Sequence, residues 1–193
     1  MSSPKHASEL LAGKRYEAAM EALLVAWRTH RAPPLERAIA SLSDVLAAGV
    51  EPIDVDADDW QEQWDRRVRA KRPVELGVLL PHVTRAPKGG VPRRLSGLLV
   101  FGPDPRIGAL LVEMIETPPL TASSNFSMWT AVFAALPDHV DTRARERLEA
   151  RIATRGGASN FWTKLEGWVK AALRKLPEPA RLPAEWKADL AEL

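Results

Sequence analysis

The segment ETPPLTASSNFSMWTAVFAALPDH, residues 116–139, is the stretch that decides the fold. Pro118 and Pro119 cannot continue a helix that precedes them. The polar side chains that follow are of the type that caps a new helix: Ser123, Ser124 and Asn125. Apolar residues then recur every three or four positions, at Phe126, Trp129, Val132, Phe133 and Leu136. The segment therefore predicts a turn followed by an amphipathic helix.

The same segment predicts a specific packing. We expect Ser124 or Asn125 to cap the helix that begins near Phe126. We expect Trp129 and Phe133 to be buried against the preceding helix, because consecutive elements are usually neighbours in space. That preceding helix presents Leu110, Leu111 and Met114.

A second segment, GGASNFWTKLEGWVKAAL, resembles the first. Its Ser-Asn-Phe at residues 159–161 follows the same tripeptide at 124–126 by 35 positions, and Trp-Thr occurs at 129–130 and again at 162–163. A unit of two helices of three to four turns with two short connections has a period of this size. The spacing favours stacked helical hairpins over a closed bundle.

The rest of the chain has the same character, because apolar residues recur at helical intervals between prolines and glycines and alternating strand patterns are almost absent. The prediction is an all-α protein of helical-hairpin repeats without a sheet. Its first helices are expected at residues 4–12, 15–30, 32–48 and 60–71. The second buries one face: Tyr16, Ala19, Leu23, Ala26 and Trp27. We expect one domain over residues 1–193, or two sub-arrays, 1–84 and 92–193, joined by the loop 85–91.

The composition limits the chemistry. The chain of 193 residues has no cysteine, which excludes disulfides and thiolate sites. Its 27 Lys and Arg exceed 25 Asp and Glu by only two charges, a smaller basic excess than that of dedicated nucleic-acid binders. No apolar run reaches the roughly 18 residues that a membrane span needs, and the first residues do not resemble a signal peptide. We expect a cytoplasmic protein without membrane contact.

Two stretches resemble known helical repeats. LLAGKRYEAAMEALLVAWRTHRAPP is similar to a tetratricopeptide unit, with Leu11, Gly13 and Tyr16 at its turn, and Ala19, Leu23 and Ala26 in its second helix. VFGPDPRIGALLVEMIETPP is similar to HEAT-type units, with Asp104 placed to cap a helix that Pro105 opens. Together they resemble the helical region of bacterial repeat-companion proteins. This resemblance implies a non-enzymatic scaffold for an unspecified partner.

The residues themselves also predict no catalysis. A hydroxyl nucleophile near Ser124 would need a base and an acid close by, but Asp138 and His139 lie at the far end of the same predicted helix, about 20 Å away. The four histidines lack the spacing of zinc ligands. DVDADDWQEQWD, residues 54–65, resembles a calcium loop but has Asp59 where the turn needs glycine. We expect no metal and no cofactor.

Two sets of residues are candidates for binding. The loop RAPKGGVPRR surrounds two glycines with four cations that suit anions or nucleic acid, although a solvated linker is the simpler interpretation: Arg85, Lys88, Arg93 and Arg94. The candidate partner surface lies on two amphipathic helices and consists of Trp60, Trp64 and Trp168.

The expected function is a non-enzymatic scaffold whose helical groove binds another protein. The alternative is a nucleic-acid-binding HEAT-like module, of base-excision type, that uses its arginine-rich loops. The alternative gains support if the following arginines cluster on one concave face: Arg66, Arg67, Arg69, Arg93 and Arg94.

Overall fold

The structure is a computed structural model that describes residues 4–84, 91–117, 126–153, 160–176, 182–184, 186 and 190. In these residues ten α-helices and two 3₁₀ segments, Leu80–His82 and Leu99–Phe101, form the regular structure, and no strand occurs. The all-α prediction is therefore confirmed. The helices are α1 (Pro4–Ala12), α2 (Tyr16–Thr29), α3 (Pro33–Ala48), α4 (Trp60–Ala70), α5 (Pro73–Leu79), α6 (Val91–Leu98), α7 (Pro105–Glu116), α8 (Phe126–His139), α9 (Ala144–Ala153) and α10 (Asn160–Leu173).

Prolines and glycines mark the helix boundaries. The helices α3, α5 and α7 each begin at a proline. Proline lacks a backbone N–H, and this costs nothing here because N–H groups in the first turn have no acceptor within the helix. Gly49 follows α3, as expected. The expectation that Tyr16 is buried is wrong, because this residue begins α2 and remains 37% exposed.

The chain divides into two compact units. Unit 1 comprises Met1–Gly102 and Pro179–Leu193, and unit 2 comprises Pro103–Glu178. The alternative division into sub-arrays at residues 85–91 does not match, because α6 packs against α4 inside unit 1.

The core of unit 1 lies between α1, α2 and α3, which pack in chain order. Trp27 is fully buried at its centre, and its indole N–H donates to a carboxylate oxygen of Glu36 at 3.2 Å. Near the end of the chain Trp186 joins this core and meets the ring of His30 edge-on, with 4.9 Å between ring centroids. On the other side α3 packs on α5, which also contacts α4.

Unit 2 consists of α7–α10. The helix α7 packs against α8 and α9, and α10 packs against the same two helices. Across the α7–α9 contact, the guanidinium of Arg147 makes two hydrogen bonds to the carboxylate of Glu116, one of them 2.9 Å long. On α8, Trp129 is fully buried as predicted. The expectation that Phe133 is buried is wrong, because this residue is partly exposed; its ring is tilted by 34° to that of Trp129, with 6.2 Å between centroids. The predicted caps Ser124 and Asn125 lie outside the described residues.

The beginning of α7 is fixed by one buried carboxylate. Asp104 accepts a hydrogen bond from the backbone N–H of Arg106 at 2.9 Å, so the predicted N-cap is confirmed. The side chain of Arg106 folds back onto the same carboxylate, with distances of 3.0 and 2.7 Å. The backbone N–H of Asp104 donates to Nδ1 of His139 at 3.2 Å. These bonds tie the start of α7 to the end of α8.

At this junction the backbones of α7 and α8 meet at Gly108. A Cβ built there would overlap the carbonyl oxygen of His139 and lie 2.9 Å from Cα of Val140. Backbone atoms cannot move aside as a flexible side chain can. Gly108 is therefore required by this close approach.

Replacing Gly108 by alanine should destabilise unit 2 by about 3 kcal/mol or more, because the added methyl group forces two helix backbones apart. Gly167 is the control: nothing lies within 4 Å of its Cβ position, and alanine there should stabilise the helix by about 0.5 to 1 kcal/mol. Denaturant unfolding followed by circular dichroism measures both. Equal stabilities of the two variants would contradict the close approach.

Replacing Trp129 by alanine should lower the free energy of unfolding by about 3 to 5 kcal/mol, as for other large buried side chains. Val45, which is 55% exposed, provides a control, and V45A should change stability by less than about 0.5 kcal/mol. Thermal melts measure both variants. A W129A variant that is as stable as the parent but loses partner binding would contradict a structural role for this side chain.

Candidate functional site

A cleft of about 740 Å³ opens in unit 1 beside α3, α4 and α5. Its size is within the range of about 300 to 1,000 Å³ that is common for protein binding sites. Apolar and charged side chains line it together: Glu17, Leu46, Gly49, Val50, Glu51, Arg66, Arg67, Ala70, Arg72, Val74 and Glu75.

The carboxylate of Glu75 organises this cleft. It belongs to α5, and only 5% of its side chain is exposed. Nη1 of Arg67, on α4, donates to one carboxylate oxygen at 2.9 Å, and Nη2 of Arg72 donates to the other oxygen. Arg67 also donates to the backbone carbonyl of Glu51. One buried acid thus holds two arginines and joins α4 to α5.

The environment of Glu75 determines its charge. Burial alone would raise the pKa of its carboxyl group, but hydrogen bonds from Arg72 and Arg67 and their positive charges outweigh that effect. The pKa of Glu75 therefore lies below its usual value of 4.5. The same contact with Glu75 raises the pKa of Arg72 above its usual value.

Arg72 reaches from the buried pair to the solvent. About half of its side chain, 53%, is exposed, and Nη1 lies 3.6 Å from a carboxylate oxygen of Glu17, which is also about half exposed. A half-exposed ion pair at this distance contributes little stability, because water screens both charges. Glu17 therefore holds the outer side of Arg72 only weakly.

The end of α4 carries cations that the interior does not use. Residues 66–72, RRVRAKR, contain five cations and no acid. Among them Arg66, Arg69 and Lys71 are exposed, and their side chains form no hydrogen bond or ion pair with any residue that the structure describes. Positive charge here is favourable because the C-terminal end of a helix carries partial negative charge. We call these three residues the basic rim; Arg66 lines the cleft, and Arg69 and Lys71 adjoin its lining residue Ala70 in the sequence.

The predicted anion contacts of the loop 85–94 have different outcomes. Arg85 and Lys88 lie outside the described residues. Arg93 is exposed and pairs with Asp65 at 3.1 Å. For Arg94 the prediction is wrong, because this residue is only 3% exposed and its Nε donates to the carbonyl of Val83 at 2.8 Å.

The guanidinium of Arg94 also lies over the ring of Trp60, 5.7 Å from its centroid. Burial lowers the pKa of this arginine from its usual value. The side chain is therefore a structural contact of α6 with α4 and not an anion receptor.

The predicted partner surface is also mostly wrong. Trp60 and Trp64 are 2% and 3% exposed, because their face of α4 packs inside unit 1, where Gly97 of α6 approaches the indole of Trp64. Trp168 is partly exposed and packs on Phe133, with 5.7 Å between ring centroids. Its role in partner binding stays a prediction.

Sequence reasoning missed the group of Arg67, Arg72 and Glu75. A signal for it exists: PVELGVLL, residues 73–80, is apolar apart from one acid, and it directly follows five cations. A single carboxylate within a buried helix requires cationic partners. The preceding run supplies them.

The described residues hold neither a metal-ligand cluster nor a membrane-spanning helix. No group of three or more His, Asp or Glu side chains there is placed to hold a metal ion, and Asp65 of the calcium-like segment pairs with Arg93. None of the described helices has the length and apolar character of a membrane span. Comparisons of the chain with protein-family models, curated proteins and solved structures found no match.

Replacing Glu75 by glutamine should destabilise unit 1 by about 3 kcal/mol, because two arginines lose their shared anion. Glu62 on α4 is the control, since it is exposed, and E62Q should change stability by less than about 0.5 kcal/mol. Urea unfolding measures both.

The same carboxylate predicts a dependence on pH. Because folding lowers the pKa of Glu75, its stabilisation is fully present above the unfolded-state pKa and is lost as the pH falls through the folded-state value. Unfolding free energies measured from pH 6 down to pH 2 should decline less in E75Q than in the parent. An identical decline would show that Glu75 is not held as described.

Proposed function

We propose that the chain is a non-enzymatic scaffold of helical hairpins that binds another protein in the cleft of unit 1. The observation that carries the proposal is the composition of the cleft, in which Leu46, Val50 and Val74 adjoin the ordered arginines Arg67 and Arg72. Protein partners present apolar and charged groups together, and interfaces combine an apolar centre with a polar rim. A cleft of this mixed character suits a segment of another protein.

The packing of unit 2 supports the repeat part of the proposal. In stacked hairpins each helix contacts its own partner and the equivalent helix of the next hairpin. The helices α7 and α8 pair in this way, as do α9 and α10, while α7 packs on α9 and α8 on α10. The starts of α8 and α10, Phe126 and Asn160, are 34 residues apart, close to the spacing of the two Ser-Asn-Phe tripeptides.

Nucleic-acid binding is the second candidate, and the basic rim is the observation that favours it. However, the five arginines on which this alternative depends do not all point outward. Arg67 and Arg94 are used inside unit 1, and Arg93 is paired with Asp65. A phosphate backbone has no apolar groups that could pack against the apolar side chains of the cleft. Protein binding is therefore the better supported function.

Affinity capture from an extract of the source organism tests the proposal. Nuclease-treated extract is passed over the immobilised chain, over R66E/R69E and over a control, K5E/R37E, which makes the same charge change at exposed sites of unit 1 away from the cleft. We expect the parent and the control to retain the same protein, quantified by mass spectrometry. We expect R66E/R69E to retain at least about tenfold less of it.

Two results would overturn the proposal. One is retained material that disappears after nuclease treatment and whose binding falls steeply with salt, as phosphate contacts require. The other is equal retention by R66E/R69E and K5E/R37E, which would show that the partner does not bind in the cleft.

A further inference from the structure

We propose that the cleft of unit 1 recognises an acidic peptide segment that carries one apolar side chain between its carboxylates. This inference rests on the proposed function and specifies the chemistry of the partner. Its three parts are the cations of the basic rim, whose side chains pair with no described residue, the half-exposed ion pair of Arg72 and the apolar floor of the cleft.

The charged groups in and beside the cleft favour the binding of an anion. Arg67, Arg72, Glu75 and Glu17 together are neutral, because each positive charge has an acid beside it. Of the other charged groups, Arg66 lines the cleft and offsets the exposed acid Glu51. Arg69 and Lys71 are the sequence neighbours of the lining residue Ala70, and they add about two positive charges beside the cleft. A carboxylate-bearing segment complements this surface.

The geometry of Arg72 supplies a specific contact. Its inner side is fixed by Glu75, so its guanidinium is already oriented without a ligand. Among the described residues its outer side meets Glu17, at 3.6 Å and half exposed. A carboxylate of the peptide takes the place of Glu17 on this arginine, and Glu17 turns to water. Glu17 is therefore a competitor whose removal should strengthen binding.

The apolar floor distinguishes a peptide from other anions. Leu46, Val50, Ala70 and Val74 line the cleft beside the arginines. Burying an aliphatic side chain there gains hydrophobic free energy that a sugar-phosphate chain cannot supply. The recognised segment thus combines acids with a leucine-like anchor.

Fluorescence polarisation with a labelled probe tests this inference. The probe is a peptide of about ten residues with glutamates around one leucine, and its controls have glutamine for every glutamate, or serine for the leucine. A single-stranded DNA of similar net charge is the third control. We expect each peptide control to bind at least about tenfold more weakly than the probe, and the DNA to bind more weakly than the probe at physiological salt.

Variants of the chain locate the site. The double substitution R66A/R69A should weaken binding of the probe by about tenfold, whereas E17Q should strengthen it by about threefold. The substitution R37A removes an exposed arginine of unit 1 that pairs with no described residue and does not line the cleft, and it should leave the affinity unchanged. Thermal melts confirm that each variant is folded, and the gain from E17Q cannot arise from misfolding.

Several results would overturn the inference: no binding of the probe at millimolar concentration, equal binding of the glutamate and glutamine peptides, or equal weakening by R37A and R66A/R69A. Weaker binding by E17Q would exclude the exchange at Arg72. If extract capture still depends on Arg66 and Arg69 while the probe fails, the scaffold function stands and only the acidic class of partner is wrong.

Discussion

A carboxylate removed from water keeps its charge only where cations replace the lost hydration, and this requirement at Glu75 determines the arrangement of the cleft. The acid sits in a helix that is otherwise apolar, so α5 cannot be buried without Arg67 and Arg72 beside it. Arg67 in turn draws the carbonyl of Glu51 toward α4. One buried charge thus ties together α4, α5 and the segment before α4.

The cations at the end of α4 have two roles, because they lie on different sides of the helix. Helical geometry places Arg67 on the side that faces α5, whereas Arg66 and Arg69 share the outer side one turn apart. The inner cation satisfies the buried acid, and the outer ones remain available to a partner. Structural order and the proposed binding surface thus arise from a single stretch of seven residues.

Unit 2 depends on a different constraint, which is backbone proximity. Gly108 lets α7 approach the carbonyl of His139, and the buried pair of Asp104 and Arg106 fixes where α7 begins. These contacts join the first two helices at one end, and the ion pair of Arg147 with Glu116 joins α7 to α9. The packing of α8 and α9 on α7 is therefore specified by close contacts along α7.

The sequence by itself determined the helical class, most helix boundaries and the cap at Asp104, because these depend on residues within about one turn of each other. It did not determine which arginines and tryptophans face water. Arg66 and Arg94 are the same residue type in similar basic runs, yet one is exposed and the other buried over Trp60. Only the tertiary structure decided this, since exposure depends on which helix, distant in sequence, packs against each face.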